Sequence, residues 1–334
     1  KQVAGHGFVY HLHSHKVGGT FYNCLSYWSS PIKEKIMDTD AHLFCKGEVA
    51  AWCPKGLDRN KRVPYFQWPA GQQIALFAKF VERDYVSNER WLGTEMMPPG
   101  TLIGTKGPLK YTIILRDPIE RILSHWTYAK RILAFPDTLE DFSQQFPCAR
   151  PDAGFSCWDR NYYVQNLAGL ESCGATVSED EDDDSGETEV VCDRDSLELA
   201  KQRLRKFSVV LILDWMSISG PLLCQRLGWC GNEVHQWLRN NTVKPCGANQ
   251  TIGDMPEFRE KMLSANRLDY ELYDYAKELA KQQLEDARVE VSPEFMEERQ
   301  SNKKNCTIAA LQKMKVNDNA LHMRLGKCGV NNLT

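Results

Sequence analysis

Phe8-Val9-Tyr10-His11-Leu12-His13-Ser14-His15-Lys16-Val17-Gly18-Gly19-Thr20 runs from an apolar strand pattern straight into a glycine turn. The apolar and aromatic residues up to Leu12 suit a strand buried in a sheet. Gly18 and Gly19 let the backbone fold closely around an anion, while Lys16 and Thr20 point a charge and a hydroxyl at it. Phe21-Tyr22-Asn23-Cys24-Leu25-Ser26-Tyr27-Trp28 can then start a helix whose first N–H groups add to the same anion site. This order of strand, turn and helix predicts an α/β fold with phosphate-binding chemistry at the sheet edge. The loop departs from the nucleoside-triphosphatase pattern G-x-x-x-x-G-K-[ST], because its lysine precedes the glycines. For the glycines alone, an ordinary strand–loop–helix turn is the competing reading.

A second segment strengthens the first. Tyr111-Thr112-Ile113-Ile114-Leu115-Arg116-Asp117-Pro118 reads as a buried strand, then a helix opening, and Ile119 to Trp126 continue as helix. Pro118 suits the first helical position and Asp117 the cap before it. Arg116 falls at the strand end, the ligand edge of an open α/β sheet. Ser124 lies about two helical turns on and can share a ligand with Arg116 only if the helix packs back over the strand end. Arg116 has two readings here: a phosphate contact, or an ion pair with Asp117 or a neighbouring acid.

Together these segments resemble the sulfotransferases that use 3′-phosphoadenosine 5′-phosphosulfate (PAPS), in particular the Golgi group of heparan sulfate 2-O- and 6-O-sulfotransferases that also takes in plant tyrosylprotein sulfotransferase. In that family a Lys-Thr-Gly-Gly-Thr loop binds the 5′-phosphosulfate, and an Arg-Asp-Pro-x-x-Arg-x-x-Ser segment binds the 3′-phosphate. Here the first reads Lys16-Val17-Gly18-Gly19-Thr20, with Val17 at the family's usual Thr, and the second is intact as Arg116, Asp117, Pro118, Arg121 and Ser124. Trp158 to Gly169, Leu197 to Leu204 leading into Val209 to Leu213, Leu222 to Trp229 and Asn266 to Ala276 continue the likeness in order. The resemblance implies a P-loop-like open parallel sheet flanked by helices, with a helical C-terminal part. One domain is expected over residues 1–290 and a polar extension over 291–334.

The activity implied is transfer of a sulfuryl group from PAPS to an acceptor hydroxyl, leaving adenosine 3′,5′-bisphosphate. The likeness makes Lys16 the cation between leaving phosphate and sulfuryl oxygens. Val17, Gly18, Gly19, Thr20 and Phe21 line the 5′-phosphate, and Arg116 and Ser124 hold the 3′-phosphate. Lysine and helix dipole supply the positive charge, so no metal is required. Between Leu43 and His125 there is no histidine, which leaves the family's usual base position empty. Glu82, after the strand-like run Ile74 to Val81, is the first candidate for general base. His42, with Asp38 and Asp40 nearby, is the second. His13 and His15 flank the loop and either contact the cofactor or pack, and His125 reads as structural. A glycan hydroxyl is the default acceptor, with tyrosine or a small alcohol open. The rivals are a kinase-like P-loop enzyme and a lumenal nucleotide- or glycan-binding protein that has lost catalysis.

Composition bounds these readings. The chain has 334 residues, 42% hydrophobic, with a formal net charge of −3. No global basic field draws it to nucleic acid, and the acidic balance argues against a densely anionic acceptor such as heparan sulfate. No stretch approaches the roughly 20 apolar residues of a membrane span. The chain opens on Lys1, which leaves room for an N-terminal anchor or signal ahead of it. Twelve cysteines and four N-x-[ST] sequons, at Asn240, Asn249, Asn305 and Asn332, favour a disulfide-bonded protein of the secretory pathway or Golgi lumen. Cys148–Cys157 and Cys173–Cys192 are plausible local pairs. Zinc is the rival, disfavoured because no C-x-x-C pair occurs. Ser178 to Glu189 is a block of like charge that cannot collapse, and reads as a disordered acidic loop.

Overall fold

The computed structural model describes residues 7–14, 35–39, 85–88, 100, 102–103, 107–133, 160–177, 188–231, 234, 238 and 256–289. Among them the strands are β1 (Phe8–Leu12), β2 (Lys35–Thr39), β3 (Tyr85–Asn88), β4 (Leu102–Ile103), β5 (Gly107–Leu115), β6 (Ala175–Val177), β7 (Thr188–Val190) and β8 (Val209–Ile212). The helices are α1 (Pro118–Leu133), α2 (Tyr162–Ala168), α3 (Arg194–Leu204), α4 (Gly220–Leu227), α5 (Pro256–Ala265) and α6 (Arg267–Asp286). The fold is α/β, and its C-terminal part is helical as expected.

All five side chains of β1 are buried, as a strand with neighbours on both sides requires. It pairs in parallel with β3 on one side and β5 on the other. β2 lies beyond β3 and β8 beyond β5, again in parallel, giving the order β2-β3-β1-β5-β8. β4 is the exception, running antiparallel beside the first residues of β5. Gly7 introduces β1 with φ +76°, and a Cβ there would stand 2.4 Å from the carbonyl oxygen of Pro108, so only glycine fits against β5.

The sheet is closed in by side-chain chemistry as well as by packing. The Val210 N–H donates to Gln283 Oε1 at 2.8 Å, and Gln283 Nε2 donates to the Phe207 carbonyl at 3.2 Å, so α6 satisfies backbone groups along β8. Lys110, half-buried on β5, donates to the Arg226 carbonyl in the last turn of α4 at 2.7 Å, where a cation suits the helix dipole.

β6 and β7 form a hairpin whose base is stapled by a disulfide between Cys173 and Cys192, one of the two pairs expected. Cys148 and Cys157 lie outside the described residues. Thr188 and Glu189 pair with Val177 and Thr176, which shortens the acidic loop expected over 178–189 at its far end. The staple and the pairing hold those two residues in a strand despite the charge that precedes them. A second disulfide joins Cys224 to Cys230 around the end of α4. No helix among the described residues is long and apolar enough to cross a membrane.

Candidate functional site

β5 ends at Leu115 and α1 begins at Pro118, so Arg116 and Asp117 make the turn at the carboxyl edge of the sheet. Asp117 caps α1 as its sequence context predicts: its Oδ1 accepts the Glu120 N–H at 3.0 Å. The Tyr270 hydroxyl donates to the same oxygen at 3.2 Å. Leu12 pairs with Ile113, so β1 also ends beside this turn. Ser14, just past β1, is fully buried with its hydroxyl unpartnered.

Of the two readings of Arg116, the ion pair is present, and its partner is Glu120. Arg116 Nε lies 3.3 Å from Glu120 Oε2, with the Arg116 side chain 17% exposed and that of Glu120 almost wholly buried. This pair holds the guanidinium through its Nε, beside the buried Glu120 carboxylate. Residues 116, 120 and 124 follow helical i, i+4 spacing. Arg116 reaches Glu120 from just outside α1, and Ser124, half-buried, lies one turn beyond Glu120 on that helix.

The backbone of Arg116 is held from a third element. The Tyr163 hydroxyl accepts the Arg116 N–H at 3.0 Å and donates to the Arg116 carbonyl at 2.8 Å. Burial holds this phenol far above its ordinary range, so the O–H stays a donor. Tyr163 stands in the first turn of α2, and that helix is fixed at both ends by its neighbours. Asp269 accepts the Tyr163 N–H at 3.0 Å and the Val164 N–H at 2.9 Å. Arg203 Nη1 donates to the Leu167 and Ala168 carbonyls at 2.8 and 2.7 Å.

The capping is reciprocal. Asn161 precedes α2 in the left-handed conformation, which asparagine tolerates, and its Oδ1 accepts the Leu268 and Asp269 N–H groups of α6. Asn266 Oδ1 in turn accepts the Asn161 N–H at 3.1 Å. Each helix start is thus served by residues from the other. Arg121, fully buried, places its guanidinium 4.0 Å from the centre of the Tyr162 ring. Burial pushes the Asp269 carboxyl up to about 6, against the pull of the two N–H groups and the Arg121 charge.

Beneath the edge lies a polar row. His11 is registered with Ser87 on β3 and Thr112 on β5, and all three are buried. His11 Nδ1 is 3.0 Å from Thr112 Oγ1, and burial, with His13 beside it, holds His11 well below the usual imidazole range. His13 is buried too, its ring stacked 6.0 Å from that of His11. His13 thus packs on His11, and His125 is likewise buried.

Among the expected site residues, Arg116 and Ser124 lie on the described part of the chain. Lys16, Val17, Gly18, Gly19, Thr20, Phe21, His42 and Glu82, and His15 beside them, lie outside it. Sequence reading left the neighbouring acid unnamed, which is Glu120, four residues on, and it missed Tyr163, Asp269 and Tyr270, which act across long sequence separations. No protein-family model matches the chain, and no curated protein matches it in sequence.

Proposed function

We propose that the protein is a PAPS-dependent sulfotransferase of the secretory pathway or Golgi lumen, acting on an acceptor hydroxyl, with a glycan first among acceptor classes. The observation that carries this reading is the parallel pairing of β1 with β5. It brings together, at one sheet edge, the strand that leads toward Lys16-Val17-Gly18-Gly19-Thr20 and the strand that ends at Arg116. Two phosphate-type segments distant in sequence thereby start from neighbouring strands, as one ligand with phosphates at both ends demands. The parallel sheet and the glycine segment after β1 support a P-loop-like fold.

Arg116 and Ser124 are the 3′-phosphate contacts of this reading, and Arg116 is anchored through its backbone and Nε. PAPS supplies the sulfuryl group and leaves as adenosine 3′,5′-bisphosphate. Sulfuryl transfer is an in-line displacement in which the acceptor O–S bond forms as the bond from sulfur to the bridging phosphate oxygen breaks. Lys16 neutralises charge on that bridging oxygen, and the N–H groups of Gly18, Gly19, Thr20 and Phe21 hold the 5′-phosphate. Glu82, or His42 in its place, takes the acceptor proton.

Calorimetric titration with adenosine 3′,5′-bisphosphate tests the site. Arg116→Ala weakens binding by about 1.5–3 kcal/mol, the scale of a charge-assisted hydrogen bond. Unchanged affinity in a folded variant removes Arg116 from the site. Stabilisation by ATP with magnesium, and none by the bisphosphate, turns the reading toward a kinase-like enzyme. Bisphosphate binding without turnover on desulfated glycans, tyrosine peptides or small alcohols turns it toward a binding protein.

A further inference from the structure

We infer that Tyr163 is a positioning residue of the Arg116 site: its hydroxyl fixes where the guanidinium meets a 3′-phosphate. The inference rests on the reading above and adds to it a residue that touches no ligand.

Leu115 is the last residue of β5 paired with β8, opposite Ile212. Arg116 is the first residue beyond that ladder, where a chain is free to turn. The Tyr163 hydroxyl gives Arg116 what a neighbouring strand would have given: an acceptor for its N–H and a donor for its carbonyl, on one side. Arg116 is thereby kept in register with the sheet, and the turn into α1 is postponed to Asp117, which Tyr270 holds.

The Arg116 side chain then has one starting point, and Glu120 holds its Nε. A guanidinium that must meet two phosphate oxygens with two parallel N–H bonds tolerates little displacement of its Cα. Tyr163 itself cannot drift, because Asp269 and Arg203 pin the two ends of α2.

Tyr163→Phe keeps the buried ring and removes only the hydroxyl. The readout is a ratio of affinities measured by calorimetry on the full chain: adenosine 3′,5′-bisphosphate against adenosine 5′-phosphate, which lacks the 3′ group. The bisphosphate advantage falls about tenfold in Tyr163→Phe, while affinity for the 5′-phosphate is unchanged. Added to Arg116→Ala, the same substitution produces no further loss of the ratio, because both act through one contact.

A full bisphosphate advantage in Tyr163→Phe, beside its loss in Arg116→Ala, overturns the positioning role and leaves the proposed site standing. An unaltered protein with no preference for the bisphosphate, or a preference that survives Arg116→Ala, overturns both. Equal losses for both nucleotides reveal general destabilisation and also overturn the inference. NMR of the unaltered protein labelled at tyrosine Cζ tests it without a variant: the Tyr163 resonance shifts with the bisphosphate and not with the 5′-phosphate. Identical spectra with the two nucleotides refute it.

Discussion

Asparagine in place of Asp269 separates two forces that act on one buried carboxylate. The carboxylate receives two backbone N–H groups, from Tyr163 and Val164, at 3.0 and 2.9 Å, and lies close enough to Arg121 to feel its charge. Burial outweighs these and raises the carboxyl from an ordinary 3.8 to about 6. The folded protein therefore holds this proton more tightly than the unfolded chain does. The stability so contributed is present below about pH 4 and is lost as pH rises through about 6, for a total of about 3 kcal/mol. Between pH 4.5 and 7.5 the loss is about 2 kcal/mol. The carboxamide of Asp269→Asn cannot titrate, but it offers one acceptor oxygen where the carboxyl, protonated or ionised, keeps a lone pair on both, which costs about 1–3 kcal/mol at every pH. Urea unfolding of both proteins at the two pH values isolates the titrating contribution. Asp269→Asn is the less stable protein at pH 4.5, and the gap narrows by about 2 kcal/mol, closing or reversing, at pH 7.5. A gap that widens with pH refutes the reasoning, because the N–H groups and Arg121 would then outweigh burial.

Cys173→Ser with Cys192→Ser opens a disulfide spanning a sequence separation of 19, and unfolding under non-reducing conditions shows a loss of about 3 kcal/mol. Gln283→Leu leaves the Val210 N–H and the Phe207 carbonyl without their partners on α6, lowering stability by about 2–4 kcal/mol in the same assay. In labelled-PAPS turnover, Lys16→Ala reduces the rate about 10²-fold or more while bisphosphate affinity falls less. Glu82→Gln keeps cofactor affinity and loses turnover; an active Glu82→Gln beside an inactive His42→Ala transfers the base to His42.

Local chemistry made part of this structure legible in advance. Asp117 and Pro118 open α1 because a cap oxygen and a fixed φ act within one turn, and the apolar runs of β1, β5 and β8 are strands because each is buried. The Cys173–Cys192 pair was within reach for the same reason. Cys224–Cys230 was not, since it depends on Gly228 ending α4 at φ 76° and returning the chain on itself. Strand order was hidden as well, because parallel partners need share no local pattern. Least legible was the support of Arg116, which comes from a tyrosine 47 residues away, itself held by an aspartate 106 residues further on. Hydrogen bonds of that range leave no periodicity in the chain.

The exchange of caps between α2 and α6 joins two segments into one cooperative unit. A helix that carries its own cap can fray alone; here, opening the first turn of either helix leaves the other's N–H groups unsatisfied. The amides of Tyr163, Val164, Leu268 and Asp269 should therefore exchange with deuterium through a shared opening of one free energy. During synthesis the same dependence sets a schedule: α2 acquires its N-terminal acceptor only once residue 269 has left the ribosome, so the turn at Arg116 settles after α6 has begun to form.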